Sequence, residues 1–453
     1  MKTITFECET LTPTFCYGAD GSLLELRAPS LKGAIRFWWR AANHSLSIKN
    51  LRKKEAEIFG GTGEDEGKSK IAIKVKTNGL QVQKSLWEEV PFIEITSKKG
   101  KKYKIPTEYK SIPYLFYSTM MLVEKSCIKT RERFEITFSS HEVVALQHTL
   151  SAFWLLSVFG GIGSRSRRGA GSFRITNIKQ NENELIKSIG LEFTLQGKNS
   201  TEVANYILKN FQRAKEIINE KKNTFFVSEY SNLSIARFII SKNKFNSWKD
   251  ALNDIGNVFM SFRNKHRSKV FEVACFGIPI QHRNPKTTII AGKVRNRNIK
   301  EKIDRRSSPV IFKVIRTSTN DYYWLLMRLA GEFLPEDKVL ISNKDGKSQK
   351  PDYSLLDEFW NEVKNKEIEC ILSIPNELDE LRKKIKQELS PQEIVLFGSR
   401  ARGDFHKKSD IDLAVATNKS IEFANVTGNI DLINLNKIDD DFKKKIEKEG
   451  IKI

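Results

Sequence analysis

The sequence predicts an α+β fold: two ferredoxin-like units in series, followed by a small α/β domain. Three observations lead to it. Residues 1–176 read in the order strand, helix, strands, helix, strand, which is the βαββαβ order of a ferredoxin-like unit. A second set of helix and strand patterns runs from about residue 201. From Pro375 the composition changes, and an amphipathic stretch (NELDELRKKIKQEL) precedes an apolar strand and a second strand with alternate carboxylates. The expected boundaries are 1–176 and 177–340 for the two units, 341–374 for a linker and 375–453 for the last domain.

The elements follow in order. Residues 2–8 and 23–28 are patterned as strands. Ser30 is a candidate N-cap for the helix LKGAIRFWWRAANHSL. Within it Ile35, Trp38, Trp39 and Ala42 recur at i, i+3, i+4 and i+7 and should be buried, the tryptophans as core. Lys32, Arg36 and Arg40 recur every four residues along one flank, either as a solvated edge or as a ridge facing phosphates; the basic surroundings favour the ridge. IFGGTG at 58–63 is a glycine turn into a strand at 70–76, and 98–104 is a basic hairpin tip. Residues 131–139 form a strand, and 143–158 are apolar enough for a buried helix. In the second unit 201–219 and 247–262 are helical, while 270–280 and 309–316 are strand-like. Residues 292–306 are a basic segment, mobile or folded onto a partner, and 338–352 have the composition of a linker.

Between the buried helix and the strand after it lies FGGIGSRSRRGAGSFR, residues 159–174. Gly160, Gly161, Gly163, Gly169 and Gly171 allow close approach of the backbone, and Arg165, Arg167, Arg168 and Arg174 supply cationic forks that match phosphate oxygens. With both ends fixed by regular structure, this loop is a candidate for contact with a polyanion.

Charge points the same way. The chain has 77 Lys plus Arg against 55 Asp plus Glu, a net charge of +22. From Leu372 to Ile453 fifteen of each cancel, so the whole excess lies in residues 1–371. Such a field attracts nucleic acid or an anionic surface. With no lipidation motif, basic amphipathic anchor or membrane-length apolar run, nucleic acid is the better reading. Five scattered cysteines, without CxxC spacing, suggest a reducing cytoplasmic setting and no cysteine zinc site. The histidines lack HExxH spacing, and no nucleophile elbow marks a catalytic triad.

LRAPSLKGAIRFWWRA, IFGGTG, FGGIGSRSRRGAGSF, FGIPI and RRSSPVIFKV together resemble the RAMP proteins of CRISPR effector complexes, with the nearest likeness to the first subunit of the type III-B Cmr complex. The resemblance covers residues 1 to about 340. It implies two RRM-like ferredoxin folds, with Gly160 to Gly171 as an RNA-proximal loop and Arg36 and Arg40 on the first helix. It further implies a non-nucleolytic, antiviral RNA-binding subunit near the 3′ end of the guide RNA, contacting target RNA and other type III-B effector subunits.

In the tail, Gly398 and Ser399 follow an apolar strand, and Asp410 and Asp412 open the next. Alternate strand residues share a face, so the two carboxylates project together and repel. Magnesium relieves such repulsion by joining carboxylates to nucleotide phosphate oxygens. Asp431 in NIDLINL is placed to be a third acid, Gly398 lets the backbone approach a triphosphate, and Ser399 can donate to it. The GS-x10-DxD pattern resembles the minimal nucleotidyltransferases of the polymerase-beta superfamily over residues 375–453. That likeness implies two magnesium ions on Asp410, Asp412 and Asp431, a nucleoside triphosphate substrate, and Arg400 and Arg402 as phosphate contacts. Only eighteen residues separate Asp412 from Asp431, so the usual intervening helix is shortened. Three readings stay open: an RNA-binding subunit with an appended nucleotidyltransferase, an enzyme modifying a protein or RNA with the basic body as recognition module, and an antitoxin-like tail that binds a partner protein.

Overall fold

A computed structural model describes the chain except residues 19, 22, 65, 98, 180–182, 220–229, 284–285, 296–297, 403–404, 406–408 and 422–428. Lys98, placed in the basic hairpin tip, lies outside the described residues.

The first unit comprises β1 (Lys2–Thr10), α1 (Ala28–Ala42), α2 (Ile48–Phe59), β2 (Ala72–Thr77), β3 (Arg133–Ser140), α3 (Val143–Phe159) and β4 (Phe173–Lys179). Its antiparallel sheet has the order β2-β3-β1-β4, which is ferredoxin-like. The second comprises α4 (Ser200–Ile218), β5 (Asn232–Ile240), α5 (Trp248–Lys265), β6 (Val310–Arg316), β7 (Tyr322–Ala330), α6 (Ser354–Lys364) and β8 (Ile368–Ile371). Its sheet order, β6-β7-β5-β8, repeats the topology of the first.

Several sequence expectations are corrected. Residues 23–28 form no strand; only an isolated bridge joins Tyr17 to Leu24. Helix α1 begins at Ala28, with Arg27 at its N-cap and Pro29 in its first turn, so Ser30 lies inside the helix. Residues 270–280 open as a short helix (Val270–Ala274), and Gly277 at φ +119° followed by Pro279 breaks strand continuity there. The basic segment is an antiparallel pair, Lys286–Arg295 with Asn298–Ile303, which Val339–Ser342 extends. Residues 341–374 are no linker. They contain α6 and β8, and β8 closes the second sheet against β5.

The burial of α3 explains its composition. Helices of an ordinary α+β unit are apolar on one stripe, but Leu146, Ser151, Trp154, Leu155 and Phe159 of α3 are buried on all sides. One side meets the first sheet (Phe6, Phe138). The other meets α4 and the open face of the second sheet (Phe238, Ile311, Leu325), all in one core. The second sheet turns its other face, through Ile239, Phe312 and Trp324, to Phe259 of α5 and Phe359 of α6.

The tail comprises α7 (Asn376–Leu389), β9 (Glu393–Phe397), α8 (Gly398–Arg402), β10 (Ile411–Ala416), β11 (Ile430–Asn434), α9 (Asp440–Glu449) and β12 (Ile451–Lys452). Its sheet order is β11-β10-β9-β12, with β10 and β11 parallel. Ile235 and Ala330 of the second unit share a core with Leu378, Leu396 and Leu413, so the tail is packed onto the body. Among the described residues no helix is long and apolar enough to cross a membrane.

Candidate functional site

The glycine-arginine loop folds inward. Gly169 has φ +92°, and a Cβ there would lie 2.6 Å from the Leu252 side chain of α5; at Gly171, φ +64°, it would lie 1.9 Å from the Ile162 carbonyl oxygen. The close approach that these glycines permit is therefore to protein. Gly161 and Gly163 sit in the outer half of the loop, where the Ser164 N–H donates to the Phe15 carbonyl at 2.9 Å. Arg168 donates to the Phe276 carbonyl at 2.8 Å and stacks its guanidinium 5.1 Å from the Phe259 ring and 5.3 Å from Phe312. Burial, and then neighbouring arginine charge, brings its pKa down to about 9. Arg168 thus joins the two units. Arg174 is likewise engaged, with Glu9 at 3.0 Å.

Arg167 has a mixed position. It donates to the Ser308 carbonyl and lies over the Phe37 ring at 5.0 Å. It also lines a cleft between the units with Phe37, Arg40, Tyr230, Ser231, Arg306 and Ser307. Burial and the Arg306 charge lower its pKa to about 10. On α1, Arg36 and Arg40 share one Glu55 oxygen, Arg36 at 2.6 Å. One carboxylate between two guanidiniums leaves net positive charge on a flank that is still partly exposed. Lys32 continues this flank, its pKa lowered by burial and by Arg36. Arg165 adopts φ +61°, and its Nε is buried with no protein acceptor among the described residues. The structure thus brings Arg40 and Arg167 together and adds Arg306, Phe37 and Tyr230. The sequence signals for Arg306 were its place at the end of the basic segment 292–306 and in RRSSP; Tyr230 follows a segment with no motif.

In the tail, Asp412 of β10 and Asp431 of β11 are register partners, so two carboxylates lie side by side. Burial raises the Asp412 pKa, and the charges of Asp431 and Asp410 raise it further. Gly398, at φ +69°, lies beneath them: a Cβ would fall 2.0 Å from an Asp412 carboxylate oxygen. Ser399 is half-buried in the same turn. Arg400 donates through Nε to the Asp410 carbonyl at 2.9 Å and through Nη2 to the Ser409 carbonyl at 2.6 Å, so it fixes the strand entrance. Arg402 pairs with Glu449 at 2.9 Å. Among the described residues no three His, Cys, Asp or Glu side chains form a group that could hold a metal ion. The register brings together a pair, Asp412 and Asp431, which a cation such as magnesium would have to complete with phosphate oxygens and water.

A family model of the RAMP superfamily matches residues 7–174, from β1 through the glycine-arginine loop. Those residues are a RAMP-superfamily domain. A nucleotidyltransferase-domain model matches residues 378–453. Two proteins of Pyrococcus furiosus are similar to the RAMP body. CRISPR system Cmr subunit Cmr1-1 is 24% identical over 341 residues, covering 73% of this chain and 88% of that protein. Cmr1-2 is 29% identical over 195 residues, covering 39% of this chain and 96% of that protein. The crystal structure of apo Cmr1 from the same organism superposes with a TM-score of 0.55 at 18% identity, covering 83% of this chain and 99% of that one, and so shares the fold.

Proposed function

We propose that the RAMP body is an RNA-binding subunit of a type III-B CRISPR ribonucleoprotein, holding the guide RNA and its target without cutting them, beside other effector subunits. One observation carries this reading: Arg40, Arg167 and Arg306 converge with Phe37 and Tyr230 in one interdomain cleft. Guanidinium forks suit phosphates, and aromatic rings suit bases. The Cmr1 relatives supply the assembly. Arg40→Ala and Arg306→Ala should weaken binding of single-stranded RNA, each reducing the salt slope of log K by about one. Unchanged salt slopes in both variants would remove the cleft from the RNA path.

For the tail, we propose a magnesium-dependent nucleotidyltransferase. The register of Asp412 with Asp431 supports it. Asp410, Asp412 and Asp431 would hold magnesium, with Gly398, Ser399 and Arg402 at the triphosphate. When bound, the metal would neutralise phosphate charge and activate the incoming hydroxyl. The residues of the chain position these groups: Gly398 leaves room for the Asp412 carboxylate against the turn, and Arg400 fixes the Asp410 backbone. Incubation with labelled nucleoside triphosphates should give transfer that Asp410→Ala and Asp412→Ala abolish.

A further inference from the structure

The last strand returns the chain to the nucleotide turn. Ile451 of β12 pairs with Leu396 of β9, so α9 ends beside the point where β9 gives way to Gly398. Gly450 makes this fit possible, since a Cβ there would lie 2.4 Å from Val395 Cγ1. Glu449 is thereby aimed at the turn. Its Oε1 accepts the Gly398 N–H at 3.2 Å, its Oε2 accepts from Arg402 at 2.9 Å, and its side chain is only 12% exposed.

These are two of the donors assigned above to a triphosphate. A carboxylate that bridges a backbone N–H and a guanidinium has the acceptors and the charge of a phosphate edge. We propose that Glu449 is an internal substitute for a nucleotide phosphate, a latch that a magnesium–triphosphate must displace. The proposal rests on the nucleotidyltransferase reading of the tail.

The body holds both halves of the latch. Arg328 of β7 donates to the Arg402 carbonyl at 2.7 Å. Asn361 of α6 donates to the carbonyl of Lys448, whose ammonium lies 3.9 Å from Glu358 of the same helix. Release of Glu449 is therefore coupled to how α9 sits on the RAMP body.

The test is calorimetric titration of the full-length chain with magnesium–ATP, magnesium–tripolyphosphate and adenosine. Glu449→Ala should bind ATP and tripolyphosphate about tenfold more tightly than wild type, with Glu449→Gln between them and adenosine unchanged. If Glu449→Ala does not fold, Asn361→Ala, which loosens the helix end without touching the turn, should tighten ATP binding several-fold. Wild-type ATP binding with no gain in these variants overturns the latch and leaves the nucleotidyltransferase reading intact. No ATP or tripolyphosphate binding by any form overturns both.

Discussion

Arg168 lies between two phenylalanine rings and donates to carbonyls of the second unit, so its guanidinium is engaged by protein. Arg168→Ala should leave those carbonyls unpaired and lower stability by about 3 kcal/mol in urea denaturation. The salt slope of RNA binding should stay as in wild type, which separates Arg168 from Arg40. Lys313 is a second buried cation. Its Nζ donates to the Gly160 carbonyl at 2.6 Å, and burial lowers its pKa from 10.5 to about 7. Lys215 is shifted in the same direction to the same value. From about pH 7 to the ordinary lysine value the unfolded chain holds protons that the folded chain has released, so stability rises with pH. Lys313→Met should flatten this rise by up to about 1.4 kcal/mol per pH unit, read from urea melts across that window. Neither cation is distinguishable from a surface one in the sequence, because burial of a charge depends on what packs over it.

At the scale of elements, alternation and helical period located α1, β3 and α7, continuous apolarity located α3, and the motif-bearing tail strands β9, β10 and β11 were legible while β12 was not. The same signals failed where a turn or a pairing decided the outcome. Residues 270–280 are apolar enough for a strand but are interrupted by Gly277 and Pro279. Residues 338–352 read as linker, yet Val339–Ser342 joins the edge of a sheet. The parallel register of β10 and β11 is the most consequential pairing, since a shift of one residue would turn Asp431 to the opposite face. The raised Asp412 pKa gives a sign for metal binding. Millimolar magnesium should raise the melting temperature. The gain should fade as pH falls through the raised Asp412 pKa, because the neutral carboxyl no longer attracts the cation. Gly398→Ala should abolish the gain, its methyl group displacing the Asp412 carboxylate.

For the whole molecule, the tail is built into the body. Ile235 and Ala330 enter the tail core, and Arg328 pairs with Asp357 at 2.6 Å, both buried, while also donating to Arg402. Body and tail should therefore unfold in one calorimetric transition. Ile235→Asp, which puts an unpaired charge in the shared core, should split it into two. A single transition in that variant at unchanged temperature would show that the shared core contributes little.

The sequence by itself determined the βαββαβ order of the first unit, an apolar helix at 143–158 and the confinement of excess charge to residues 1–371. Each of these follows from local periodicity or from counting. Only the tertiary structure decided which arginines are held by distant protein groups, that residues 354–371 complete the second unit, and that Glu449 reaches the Gly398 turn. Arg168 meets partners 108 to 142 residues away, and Glu449 meets Gly398 51 residues away. A glycine-arginine loop has the same composition whether it presses against RNA or against a neighbouring domain, because both offer oxygen acceptors and flat rings; only the packing of distant elements selects between them.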